Sequence, residues 1–227
     1  FVRDLTDELH NELGFEVKKD EELEIKEVRD TINKLRAKNL DDDSFIKKFS
    51  DIFKENKMES ISEGTFFSSI LFISALDETN KIETFLEKFE NAESPQMQGR
   101  YRAVLGQVRD QNASKKIVEF MLDGRIRGAD CPYILASMIT NKYIGKKSWK
   151  VIKENFNDLL SVMPDWTASR ILDALPAIYD EEFAGDIKNF IKKNPLPSSE
   201  KLAAQKLERL EANIEFMDNL KEVNNET

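Results

Sequence analysis

Histidine occurs once in the 227 residues, as His10, and cysteine once, as Cys131. A hydrolytic zinc site of the His-Glu-x-x-His type needs two histidines one helical turn apart, so neither that motif nor a histidine-rich metal cluster is possible, and we assign no catalytic or metal-binding residue. A serine triad would have to use His10 as its base, yet no Gly-x-Ser-x-Gly elbow exists; His10 is expected to be a surface residue on a terminal helix. A single thiol forms no intrachain disulfide, which points to a reducing, cytoplasmic setting. Cys131 lies in the apolar run Cys131-Pro132-Tyr133-Ile134-Leu135 and is expected to be a small buried thiol. The eight glycines form neither Gly-x-x-x-x-Gly-Lys-Ser/Thr nor Gly-x-Gly-x-x-Gly, so no phosphate-cradling loop is offered. No run approaches the roughly 18 apolar residues that span a bilayer, and "FVRDLTDELHNELG" carries acids where a secretory leader carries bases. An excess of positive charge is missing too: 43 acids against 34 bases give a net charge of -9, which opposes general nucleic-acid binding.

What remains is helical periodicity, punctuated every fifteen to twenty residues. A first helix ends at Gly14; a second, from Glu22 to Asn39, is expected to face inward through Leu23, Val28, Ile32 and Leu35. Phe45, Ile46, Phe49, Ile52 and Phe53 mark the next inward face. "SISEGTFFSSILFISAL" reads as a buried helix, with Ser60 and Glu63 as a capping box. Asn80 with Glu83, Ser94 before Pro95, and Asp165 supply further start signals. Helices are expected over about 113–122, 131–139, 147–162, 167–178, 181–192 and from near Ser199 onward, with "NPLPSS" as a break. The fold class is therefore all-α: a superhelical array of antiparallel helix pairs, a HEAT- or armadillo-like solenoid, with a compact irregular bundle as the alternative. No linker divides the chain, so 1–227 reads as one domain.

"GKKSWKVIKENFNDLL" poses the choice between a basic aromatic grip and a helix face. Trp149, Ile152, Phe156 and Leu159 recur at steps of three and four, one helical stripe, while Lys146, Lys147, Lys150 and Lys153 share the other side with Glu154 and Asp158. The stripe is expected in the core, so Trp149 is not free to stack on a base.

The same residues carry a resemblance. Gly145, Trp149, Lys153, Asn155, Phe156 and Leu159, followed by Phe190, Asn194, Pro195, Glu208, Asn213 and Phe216, resemble the closing stretch of the zinc aminopeptidases that include aminopeptidase N, puromycin-sensitive aminopeptidase and the tricorn-interacting factors. Asn194 stands where the family usually has histidine, and Phe216 where it usually has tryptophan. "ELGFEVKKDEELEIKEVRDTINKLRAKN" and "SPQMQGRYRAVLGQVRD" are similar to earlier segments of the same region, in the same order.

The resemblance implies a non-catalytic C-terminal helical domain that walls the peptide cavity of a larger enzyme. Zinc would belong to a catalytic domain of the same polypeptide, with no cofactor in this chain, and peptides would be the substrates. Arg100 and Arg102 fall near a position where the family carries a basic residue facing the cavity, and a guanidinium can bind a carboxylate bidentately. The other reading of both is an ion pair with a neighbouring acid. Tyr143, with Thr140 nearby, falls near a second cavity-lining loop, whose glycine is displaced by one place here. The competing class is a freestanding HEAT-like scaffold that binds a partner protein.

Overall fold

Apolar residues at steps of three and four, bounded by Gly, Pro and short acidic caps, fold into thirteen α-helices among the described residues, which contain no strand. The computed structural model describes residues 1–18, 20–40, 42–55, 64–196 and 199–225, with side chains as far as 221. The expected Ser60–Glu63 capping box lies outside these residues, as do Pro197 and Ser198 of the proline break. The chain divides into two compact units, Phe1–Ala113 and Ser114–Thr227.

The first unit contains α1 (Val2–Leu13), α2 (Leu23–Asn39), α3 (Asp43–Lys54), α4 (Gly64–Ala75), α5 (Ile82–Glu90) and α6 (Pro95–Val104). α1 packs on α2, α3 on α4 and α5 on α6, while α2, α4 and α6 also stack on one another in sequence. This is the two-layer pattern of helical repeats. Arg36 on α2 reaches Asp7 on α1 at 2.6 Å and Arg29 reaches the Leu13 carbonyl at 3.2 Å, so the first pair is antiparallel. Along α3, Phe45 and Phe49 meet edge-on at 5.2 Å, and Phe53 stacks on Phe85 of α5 at 4.9 Å. Each such ring removed from water contributes about 1.5–3 kcal/mol. The apolar run of α4 is a buried helix, as its length implied.

Two expectations fail in this unit. The inward face of α2 is polar: Arg29, Asn33 and Arg36 are buried with Ile32, whereas Leu23 is 62% exposed and Val28 and Leu35 are exposed as well. The cause is local bonding. Arg29 pairs with Glu21 and donates to the Leu13 carbonyl, Asn33 donates to the Phe15 carbonyl at 3.0 Å, and Arg36 donates to Thr6 and Asp7. Each buried donor thus finds an acceptor on α1 or the loop after it, which offsets its desolvation. The start of α5 is also not capped by Asn80, whose amide donates to Ser50 and the Ser74 carbonyl. Asp110 supplies the cap instead, accepting from the Ile82 N–H at 3.1 Å. Gly14 does end α1 at positive φ, with φ 70° and ψ -174°, a combination essentially restricted to glycine. His10 is half-buried, its ring edge-on to Phe45 at 5.4 Å, so it is not the free surface residue expected.

The second unit contains α7 (Ala113–Leu122) from its second residue on, α8 (Cys131–Ile139), α9 (Gly145–Glu154), α10 (Phe156–Val162), α11 (Asp165–Ala168), α12 (Glu181–Lys193) and α13 (Glu200–Asn225). Trp149, Ile152, Phe156 and Leu159 are all buried, as their spacing required. They do not lie on one unbroken helix. At Asn155 the side-chain amide donates to the Val151 carbonyl at 2.8 Å, a bond that competes with the backbone ladder, and the helix breaks into α9 and α10. Phe190 on α12 receives Trp149 edge-on at 5.2 Å and Phe156 edge-on at 5.0 Å, and the indole N–H donates to Asp186 at 3.0 Å. Lys146 pairs with Asp180 and Lys153 with Asp186, so α9 and α12 run parallel, as equivalent members of successive helix pairs do. Lys188 of α12 pairs with Glu211 of α13, which packs against it.

The expected helix over 167–178 takes another form. After α11, which begins at Asp165 with Pro164 before it, Ser169–Ala177 is a 3-10 segment of nine residues. Pro176 has no N–H to give to Leu172, and its ring crowds that carbonyl, so α geometry is blocked there. The segment packs against both α8 and α13, and the Asn213 amide donates to the Pro176 carbonyl at 2.6 Å.

Candidate functional site

In the second unit, the loop from α8 to α9 and the turn before α12 enclose a pocket of about 490 Å³. α8 ends as Thr140 turns its hydroxyl back to the Ala136 carbonyl at 3.2 Å. The Asn141 side chain then accepts from the Tyr143 N–H at 3.0 Å, an Asx turn that reverses the chain. Gly145 opens α9 so close to the end of α8 that an added Cβ would lie 2.4 Å from the Ile139 carbonyl oxygen. Only glycine permits that approach; Ile139, Ile144, Ala177 and Ile178 supply the apolar part of the lining.

Aromatic and charged groups line the rest of the pocket: Tyr143, Tyr179 and Phe183, with Lys142, Lys146, Lys147 and Asp180. Lys146 donates to Asp180 at 2.6 Å, while Asp180 also caps α12 by accepting from the Phe183 N–H at 2.8 Å. The lysine hydrogen bond, followed by that backbone bond, holds the Asp180 carboxyl below its usual range, and the same aspartate raises Lys146. Three lysines to one acid make the lining basic in a chain of net charge -9. Apolar floor, aromatic rim and basic surround suit an apolar side chain beside an anionic group. They supply no activated nucleophile. Cys131, the one thiol, is buried, and burial, then the neighbouring Asp130, pushes it up to about 12, so it stays protonated at neutral pH.

Of the three residues the sequence singled out, only Tyr143 lies at this pocket, with Thr140 beside it. Arg100 and Arg102 are half-buried on α6 in the first unit. Tyr101 between them is buried against Phe67, and residues two apart on a helix do not share a face, so the pair forms no joint fork. The Arg100 guanidinium sits 5.2 Å from the Phe67 ring centre, a cation–π contact, with one nitrogen 3.7 Å from the Met97 sulfur. The Lys146–Asp180 pair and Tyr179 were not anticipated as site residues. Asp180, three residues before Phe183 and followed by two glutamates, does carry a helix-start signal that could have placed it.

A zinc ion, which the resemblance places in the parent enzyme, is not fitted by the donors here. Among the described residues no three of His, Cys, Asp and Glu are grouped to hold a metal, and the His10 Nδ1 is buried without a partner. No helix among them is long and apolar enough to cross a membrane. Against known families, the model described as the ERAP1-like C-terminal domain matches residues 1–212.

Proposed function

The chain belongs to the family of ERAP1-like C-terminal domains of aminopeptidases, and from that premise we propose that it is the non-catalytic peptide-cavity wall of a zinc-dependent aminopeptidase. The match over residues 1–212 carries the proposal, because it runs through both compact units in one stretch. On this reading the two units serve as one domain, and zinc and the bond-breaking groups reside in a catalytic domain of the same polypeptide. The enzyme trims peptides from their N-termini in the cytoplasm.

The domain's part is to hold the rest of the peptide. Tyr143, at a pocket with an apolar floor and basic rim, takes an apolar or acidic portion of the substrate. Arg100 and Arg102 offer guanidinium groups to carboxylates, Arg100 with its plane already oriented by Phe67. Remote contacts of this kind position a substrate without touching the scissile bond.

The test is made in the full-length polypeptide. A His-Glu-x-x-His motif upstream and zinc-dependent release of N-terminal residues are expected; absence of both overturns the reading. Replacing Tyr143, Arg100 and Arg102 by alanine should raise KM for longer and acidic peptides while leaving single-residue amide substrates unchanged. Equal kinetics across peptide lengths would remove these residues from the substrate path.

A further inference from the structure

A 3-10 run longer than three or four residues is uncommon, because its hydrogen bonds are poorly aligned. Ser169–Ala177 runs for nine and leads directly into Ile178, Tyr179 and Asp180, one wall of the pocket. The 3-10 form rises about 2.0 Å per residue against 1.5 Å in an α-helix, so rewinding the four residues Ser169–Leu172, ahead of the turn that Pro176 blocks, would draw the segment's ends closer by about 2 Å. That is a large displacement for the wall of a pocket of about 490 Å³.

Two bonds from α13 meet the extended form. Asn213 donates to the Pro176 carbonyl at 2.6 Å, the last turn before the wall, and Lys206 pairs with Asp173 at 2.7 Å in mid-segment. The segment also packs on α8, whose end lines the same pocket. Pro176 blocks α geometry at its own turn and leaves Ser169–Leu172 free of that block.

We propose that Ser169–Ala177 is a movable wall of this pocket, and that Asn213 is the positioning residue that latches it in the long 3-10 form. Release of the latch lets the first half wind toward α geometry and shifts Ile178–Asp180 relative to Tyr143. The latch stands on geometry alone; its use in substrate binding rests on the peptide-wall reading above.

Hydrogen exchange read by mass spectrometry on the full-length polypeptide tests it, with Asn213→Ala and Asn213→Asp, the latter keeping the shape but not the donor. Both variants should speed exchange at residues 170–180 at least tenfold and leave α8 as in the parent protein. Unchanged exchange there, or an even rise from α8 to α13, would overturn the latch, the second outcome reducing Asn213 to a general stabilising contact. A second readout separates the two claims. If the exchange changes as expected but KM for long peptides does not, the latch stands and the peptide-wall reading of the pocket falls.

Discussion

The two units both rest on apolar and aromatic packing and differ in the charge they bury. The first buries charge: Arg29 is 1% exposed, and Arg36 and Asp110 are buried as well. Both units pack aromatic rings, Phe53 on Phe85 in the first and Trp149 on Phe190 in the second, but among the described residues the buried polar groups of the second are neutral, and α8 meets α9 there by close backbone approach. A buried ion with partners set by one loop is costly to disrupt yet adds little net stability over an apolar residue of the same shape. A buried ring stabilises outright. The first unit's devices therefore specify how α1 and α2 pair, whereas the second unit's supply stability around the pocket.

The sharpest test of that contrast removes one anchor from each unit. Trp149→Ala empties a site enclosed by Phe190 and removes the donor to Asp186, and should lower the unfolding free energy by about 4 kcal/mol. Urea denaturation measures it. Arg29→Ala should cost about 3 kcal/mol, because it strands the Leu13 carbonyl and the Glu21 carboxylate. Arg29→Met keeps much of the volume and separates the readings: a variant as stable as the parent, but with fast amide exchange in α1, supports a specifying role. Destabilisation as large as that of Arg29→Ala would show the charge itself to be needed for stability, and the contrast between units would fail.

Glycine sharpens the second half of the comparison. Gly145→Ala sets a methyl against the Ile139 carbonyl and should destabilise by about 2 kcal/mol while closing the pocket floor. Gly185, inside α12, has nothing within 4 Å of an added Cβ, so Gly185→Ala should stabilise by about 0.5–1 kcal/mol. Thermal unfolding of the pair of variants should show melting points moving in opposite directions; movement in the same direction would remove close approach as the reason for Gly145.

How legible these features were follows from the same contrast. Trp149, Ile152, Phe156 and Leu159 announce a buried face because apolar periodicity reports burial directly. On α2 the same reasoning chose Leu23, Val28 and Leu35, and failed, because Arg29 and Arg36 are buried by partners at Glu21 and Asp7 that no periodicity reveals. Lys146 meets Asp180 of the pocket lining 34 positions on, and Asn213 meets Pro176 37 positions back, so neither contact was visible locally. Tyr143, which the resemblance set near a cavity-lining loop, lines a pocket whose occupant no local signal names. The 3-10 segment had one local signal, Pro176, which marks where α geometry fails but not how far the altered winding extends.

The smallest expected effect concerns His10 in the first unit. Burial lowers its pKa from the usual 6.5, and Arg36 and Lys48 lower it further, outweighing Asp7 and Asp42. Its Nδ1 is buried with no partner, so protonation would place a second cation beside Arg36 with no acceptor. The folded chain therefore binds this proton less readily than the unfolded chain. Stability is fully present above 6.5 and declines as pH falls from there through the lowered folded value. His10→Leu keeps the apolar contact with Phe45 and removes the titration. Its urea midpoint should track the parent's above neutrality and fall less between pH 6.5 and 5. Parallel curves over that range would mean that the buried arginine network tolerates a charged His10, and that the first unit's polar core is less exacting than its geometry indicates.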